Sequence, residues 1–230
     1  MLRHSVIWRL RDTTTPALQT EMLEGLAYLR MECPMVRWGD YGDDLFGGSR
    51  RFDDPPPFEA TPVWRRAADG PPANYDVALH LDFDDWDAYR QYSPHPAHKA
   101  GSVFNGAVSW DELTARVDWY FDGEAPTRHG HVKHVAMFVW ADGVSEQAKQ
   151  RALDAVRALG DAPGVEAVTL GHNVGQLVSD YDWIMDVRAP DPAAAERLLG
   201  GPHYARAMEA VAAATKYEWT ARLSHIIRGP

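Results

Sequence analysis

The sequence predicts an α+β protein in which two copies of one small unit are fused in tandem and close on each other as a barrel with a ligand-sized interior. The same order of strand and helix signals occurs twice. The Tyr-Asp pairs that begin at Tyr75 and Tyr181 are 106 residues apart, as are Pro96 and Pro202. A β-α-β-β unit with one apolar sheet face cannot bury that face alone, so the second copy supplies its partner covalently.

Each copy begins with an alternating strand that opens on a histidine, His4 in the first copy and His134 in the second. A helix follows in both. In the first copy, Thr15 is the predicted N-cap and Pro16 the first helical residue. The matching helix is predicted to start near Ser145, and both helices are predicted to end at a proline turn.

Further strands are predicted after the two Tyr-Asp pairs, and each copy closes on a strand, near Trp119 and Trp219. The first copy carries an extra segment rich in proline and glycine, which resists regular structure and is predicted to be a lid or a surface loop. These signals divide the chain into a first unit over 1–122 with an inserted loop at about 42–73, a linker over 123–131, and a second unit over 132–230.

Composition excludes several classes of protein. A net charge of −10 without a dense Lys/Arg cluster argues against nucleic acid and anionic membrane surfaces as partners. Cys33 is the only cysteine, so neither an intrachain disulfide nor a thiolate metal cage is expected. No apolar stretch is long enough for a membrane helix or a signal peptide. A soluble, cytoplasmic protein is predicted. A monomer is possible because the repeat supplies the barrel partner, and a further homo-oligomer is left open.

The segment over residues 92–98 carries the densest chemistry. His98 can take or give a proton near neutral pH, and Tyr92 can donate a hydrogen bond to a developing oxyanion. This pair is sufficient for enolisation of a small molecule. The alternative interpretation is structural, with Tyr92 packing in the core and His95 capping or hydrogen-bonding the loop.

Metal binding is not predicted. His95 and His98, and the trio His129, His131 and His134, are spaced like ligands, but no carboxylate or cysteine completes either set.

The strand over residues 75–79, with Phe83, Tyr92 and residues 95–98, resembles the most recognisable stretch of the stress-responsive α/β-barrel (Dabb) family. The resemblance covers nearly the whole chain, twice, and implies a ferredoxin-like unit in each half and a dimeric α+β barrel formed within one chain. Within the family, the motif is most similar to a plant polyketide cyclase in which a histidine and a tyrosine, at the positions of His98 and Tyr92, carry an intramolecular aldol condensation.

The resemblance implies a cofactor-independent enzyme of the polyketide cyclase type, a lyase or isomerase of natural-product biosynthesis, with His98 and Tyr92 as catalytic residues. The predicted substrate-binding residues are His4, His95, Trp8, Val77, Leu79 and His134. A further pocket histidine of the cyclase falls near Val77 here, so part of its polar pocket is missing.

In the second copy, the tyrosine and last histidine positions fall at Leu198 and Tyr204, so one working site is expected, in the first half. Two other functions remain open: a cofactor-free or haem-linked monooxygenase on the same fold, and a non-catalytic stress or ligand-binding protein.

Overall fold

A computed structural model describes residues 1–46, 73–121, 128–174 and 181–229. The first half contains β1 (Leu2–Trp8), α1 (Pro16–Glu32), β2 (Trp38–Asp43), β3 (Ala73–Asn74), β4 (Val77–Phe83), α2 (Trp86–Tyr92), α3 (Pro96–Val108) and β5 (Ala115–Tyr120). The second half contains β6 (Val132–Phe138), α4 (Glu146–Arg157), β7 (Ala167–His172), β8 (Trp183–Ala189), α5 (Pro192–Leu199), α6 (Pro202–Ala212) and β9 (Ala221–Ile226).

The strands form two sheets, ordered β2-β4-β1-β5 and β3-β9-β6-β8-β7. The pairings within them are antiparallel, except that the short β3 of the first half runs parallel to β9 in the second sheet. Each half therefore repeats one ferredoxin-like arrangement of four strands with helices on one face. This confirms the predicted α+β fold of two tandem units.

The first helix of each half starts where the sequence predicts. The Thr15 hydroxyl accepts a hydrogen bond from the Leu18 backbone at 3.3 Å, and the Ser145 hydroxyl accepts one from Ala148 at 3.2 Å. These side chains satisfy backbone donors that have no partner within the helix, which fixes the first turn in both copies.

The two sheets meet at both pairs of edges. At one edge, the backbone N–H of Leu45, just after β2, donates to Ser224 of β9 at 2.7 Å. At the other edge, Val174, just after β7, donates to Asp118 of β5 at 2.9 Å. Between these edges, the hydroxyls of Tyr75 and Tyr181 approach to 3.4 Å, which places this repeated pair at the pseudo-twofold axis. The barrel is thus closed within a single chain.

Alternation along β1 decides which side chains meet the second sheet. Val6 and Trp8 pack with Leu26 of α1 on the helix side, whereas Ile7 packs with Val135 of β6 between the sheets. The space between the sheets is filled by this second apolar core and by charged side chains. The sequence predicts the ligand space between the two sheets, but the candidate cleft lies on the opposite, helix-facing side of the first sheet. The reason is that His4, which lines the cleft, and Ile7, which faces the second sheet, lie on opposite faces of β1.

A charged cluster is buried between the sheets. Arg3 donates to both carboxylate oxygens of Asp82, at 2.6 and 2.8 Å, and to Asp186 of the second sheet at 3.0 Å. Lys133 hydrogen-bonds to Asp40 and lies 3.4 Å from Asp186. All five side chains are at most 1% exposed. This cluster is not predicted from the sequence, because charged residues in strands are usually on the solvent side.

Most of the predicted inserted loop, and most of the predicted linker, lie outside the described residues. Within the part of the chain that is described, no helix has both the length and the hydropathy needed to cross a membrane.

Candidate active site

A narrow cleft, about 90 Å³ in volume and partly open to solvent, lies between the first sheet and the helices that cover it. This is smaller than the ~300–1,000 Å³ of typical small-molecule sites, so only part of a ligand would be enclosed. The lining residues are His4, Val6, Trp8, Leu29, Leu79, Tyr92, His98, Ser102, Asn105, Gly106, Ser109, Asp111, Thr114 and Arg116. Apolar side chains come mainly from the strands and polar ones mainly from α3 and the segment after it, so a ligand would meet one apolar and one polar wall.

His98 lies in the first turn of α3, whose start is fixed by Pro96 at the first helical position. Its Nδ1 is 2.8 Å from the carbonyl oxygen of Ser93. A carbonyl only accepts, so Nδ1 carries the proton and the lone pair lies on Nε2. The Ser102 hydroxyl lies 3.3 Å from that Nε2. Burial lowers the pKa of His98, which keeps the ring neutral and able to act as a base.

Tyr92 is the last residue of α2 and is 1% exposed. Its ring centroid is 4.4 Å from that of His98, and it packs against Phe83 on the sheet at 5.1 Å. Burial raises the pKa of Tyr92 well above 10, so the phenol keeps its proton and can only act as a hydrogen-bond donor or a neutral acceptor. The six-residue spacing from Tyr92 to His98 is bridged by the turn between α2 and α3.

His4 lies beside this pair, with its ring centroid 6.4 Å from that of Tyr92. Its Nδ1 is 2.6 Å from the carboxylate of Asp118, which pairs with it across β1 and β5. A carboxylate at this distance fixes the ring orientation and leaves Nε2 as the nitrogen available to the cleft. Asp118 therefore positions His4, and the sequence analysis did not identify it because the two residues are 114 positions apart.

Of the remaining predicted substrate-binding residues, Trp8 and Leu79 line the cleft, whereas Val77, His95 and His134 do not. Val77 packs in the core between the sheet and the helices, because it lies at the start of β4, beyond Leu79. His95 is the N-cap of α3: its Nδ1 accepts from the backbone of Ala97 at 3.3 Å. This is the capping role of the structural alternative, and it removes His95 from the lining.

His134 belongs to the second half, away from this cleft. Its Nε2 is 2.9 Å from the Tyr204 hydroxyl and its Nδ1 is 2.8 Å from the hydroxyl of Ser224. Tyr204 occupies the position equivalent to His98, and its longer side chain reaches the histidine directly. The corresponding space in the second half is therefore bridged by a hydrogen bond.

The polar wall formed by α3 and the loop after it is not among the residues predicted from the sequence. Ser102, Asn105 and Ser109 follow His98 at intervals of four, three and four residues. This spacing places them on one face of a helix, and a search for polar helical periodicity could have found them. Thr114 and Arg116 come from the approach to β5, for which the sequence offers no comparable signal.

No family model and no curated protein sequence matches this chain. Among solved structures, it is similar to an anthrone oxidase-like protein, with a TM-score of 0.63 and 12% identity over 99% of this chain and 91% of that one. A provisionally assigned monooxygenase from Fusobacterium nucleatum gives a TM-score of 0.60 and 8% identity over 98% and 91%. A provisionally assigned chlorite dismutase gives 0.54 and 10% over 99% and 94%. At these identities the likeness concerns the fold alone, and it shows that the chain is a tandem ferredoxin-like α+β barrel.

Proposed function

We propose that this chain is a cofactor-independent enzyme that removes a proton from an enolisable small molecule bound in the cleft. The observation that carries the proposal is the arrangement around His98: a neutral imidazole with its tautomer fixed by the Ser93 carbonyl, beside a buried phenol that keeps its proton. An unprotonated base and a hydrogen-bond donor at one cleft are the two groups that enolisation needs.

The chemistry would proceed in two steps. His98 Nε2 takes a proton from a carbon next to a carbonyl, and the negative charge that develops on the carbonyl oxygen is stabilised by the Tyr92 hydroxyl. The enolate carbon then forms a bond to a second carbonyl carbon of the same molecule. The resulting alkoxide takes the proton back from His98, so the acid–base balance closes without another reactant. This is an intramolecular aldol reaction of the polyketide cyclase type.

The motif resemblance supports the same assignment, as a tandem member of the Dabb family with units over 1–122 and 132–230. The apolar wall that includes Trp8 and Leu79 suits an aromatic or polyketide-like substrate. Because both sheets of the barrel are supplied by one chain, a monomer would suffice for activity.

A second candidate is a cofactor-free monooxygenase, which the names of two structural neighbours favour. It would share the first step, since an enolate reacts with O₂ more readily than its parent ketone. A methylene group and one O₂ would give a carbonyl and one water. A haem-linked variant of this candidate predicts a Soret band when haem is added.

The deciding experiment measures proton removal separately from the reaction that follows it. Anthrone and a panel of linear β-polyketones are incubated with the protein in D₂O without oxygen, and exchange of the acidic C–H is followed by NMR. We expect His98→Ala to slow exchange by about 10²–10⁴-fold and Tyr92→Phe to slow it by a smaller factor. The matched control, His129→Ala, removes an exposed histidine far along the chain and should leave the rate unchanged.

Each outcome separates the candidates. Exchange followed by cyclisation under nitrogen supports the cyclase, whereas product that forms only with O₂ uptake supports the oxygenase. A His98→Ala variant with full exchange activity and an unchanged melting temperature would reject the assignment of the base. If no probe exchanges but the compounds still raise the melting temperature, the non-catalytic binding protein is favoured.

A further inference from the structure

Three ring and carboxylate atoms converge between the two sheets, outside the cleft. Asp40 of β2 and His80 of β4 are directly paired across the first sheet, and His225 of β9 reaches them from the second. Their side chains are at most 1% exposed, and one ligand-type atom from each lies within 4.8 Å of the other two. Asp40 Oδ1, His80 Nε2 and His225 Nε2 have no hydrogen-bond partner among the described residues.

Hydrogen bonds on the far side of each ring orient these atoms. His225 Nδ1 lies 3.1 Å from the carbonyl of Ile226, which can only accept, so Nδ1 carries the proton. Its Nε2 lone pair then faces Asp40 Oδ1, a second acceptor, at 3.5 Å. His80 Nδ1 lies 3.0 Å from the Ser5 hydroxyl, to which it can donate. Two acceptors that face each other in a dry interior are unfavourable unless a cation or a donor lies between them.

We propose that Asp40, His80 and His225 bind one divalent first-row transition-metal ion, for which Zn²⁺ is the natural probe, and that this ion ties the first sheet to the second. Two imidazoles and one carboxylate are a common ligand set for such ions, with a water able to fill the fourth position of zinc. A ligand histidine typically donates its other ring N–H to a carbonyl or another polar oxygen. The Nδ1 contacts of both rings fit that pattern.

The neighbouring charges define how the ion would be held. The ammonium of Lys133 already binds the other oxygen of Asp40, so this carboxylate would bind the metal through Oδ1 alone. Lys133 and Arg3 lie close by, and their positive charge weakens the expected affinity relative to a site without them. Burial lowers the pKa of both His80 and His225, which keeps both rings in the neutral form that a metal requires.

Pseudo-symmetry predicts one ion per chain. The position equivalent to His225 in the first half is Trp119, 106 residues earlier. The ring of His225 lies over Gly42 of the first sheet, and the ring of Trp119 lies over Gly171 of the second. The indole of Trp119 donates to Ser5 at 3.0 Å and carries no ligand atom. The cluster can therefore form at only one of the two related places.

The test uses the full chain, freed of metal by a chelator under mildly denaturing conditions and refolded. We expect one equivalent of Zn²⁺ by mass spectrometry of the metal, visible absorption bands on titration with Co²⁺, and a melting temperature that rises with Zn²⁺ concentration. His225→Gln and His80→Gln should each weaken binding by at least about 100-fold, the upper range for loss of a group that supports a metal site. His129→Gln, an exposed control, should bind as the parent does.

Failure has two clear forms. A parent protein that takes up no Zn²⁺, gives no Co²⁺ bands and shows no change in melting temperature would mean that a water molecule or a proton occupies the site, and the proposal would be overturned. Binding that persists in folded His225→Gln and His80→Gln variants would overturn it as well. Should the glutamine variants not fold, the Co²⁺ spectrum and stoichiometry of the parent decide the question. This site is separate from the cleft, so either result leaves the proposed function untouched.

Discussion

The buried pair of Arg3 and Asp82 offers a quantitative test of the core between the sheets. Asp82→Asn keeps the shape of the side chain but removes the charge that opposes Arg3, which is bound through two hydrogen bonds of 2.6 and 2.8 Å. Breaking a buried ion pair by removing one partner costs about 3–5 kcal/mol. Because Asp186 remains 3.0 Å from the same guanidinium, we expect the lower end, about 3 kcal/mol. For a chain of this size, that lowers the melting temperature by about 6–12 °C.

Calorimetry or chemical denaturation measures this effect, and an exposed pair supplies the control. Arg37 and Asp84 form hydrogen bonds of similar length, 2.8 and 2.5 Å, but both side chains are more than half exposed. Asp84→Asn should not change stability measurably, because solvent screens such pairs. The double variant Arg3→Met with Asp82→Asn should be less destabilised than the two single losses added together. Equal effects at Asp82 and Asp84 would refute the reasoning that burial sets the size of the loss.

Four further outcomes follow from the structure. The base must be unprotonated, and burial lowers the pKa of His98, so turnover should stay constant as the pH falls to 6.5, the ordinary histidine pKa, and should decrease only below it. A decrease in rate that already begins above pH 6.5 would contradict the assignment of His98 as the base. Gly171→Ala should destabilise by about 1–3 kcal/mol, since its Cβ would lie 2.3 Å from a tryptophan ring, whereas Gly25→Ala, with open space in a helix, should stabilise by up to about 1 kcal/mol in the same denaturation assay. Cys33 should react slowly with thiol reagents at pH 8, because burial raises its pKa to about 11, and rapid labelling of the native protein would argue against this. Tyr204→Phe should cost about 0.5–1.5 kcal/mol through its lost hydrogen bond without affecting turnover, and a loss of activity would show that the second half takes part in catalysis.

Local signals predicted the fold well, because they repeat. The caps at Thr15 and Ser145 and the 106-residue interval between Tyr75 and Tyr181 are properties of short segments, and each is present in both copies. What the sequence could not show was which face of the first sheet holds the cleft. The face that holds the cleft depends on packing between elements. Because His4 and Ile7 are both buried, on opposite faces of β1, burial of the strand does not distinguish the two faces.

Some residues of the candidate site could likewise be predicted from the sequence, and others could not. Tyr92 and His98 are close in sequence, so their proximity could be predicted, whereas Asp118 reaches His4 only through the register of β1 and β5. Buried charges were harder still. Lys133 lies in a strand next to His134 and is 0% exposed, and nothing local distinguishes it from a lysine on a solvent-facing edge.

The single-chain barrel also frees its halves from each other during evolution. When two identical chains form such a barrel, any substitution appears at both related positions, so a residue must be tolerated twice. Here the equivalent positions of the two halves hold different residues: His98 is replaced by Tyr204, and Trp119 is replaced by His225. One half can therefore keep a cleft while the related space in the other half is crossed by the His134–Tyr204 hydrogen bond, and a substitution in one half leaves the related position unchanged.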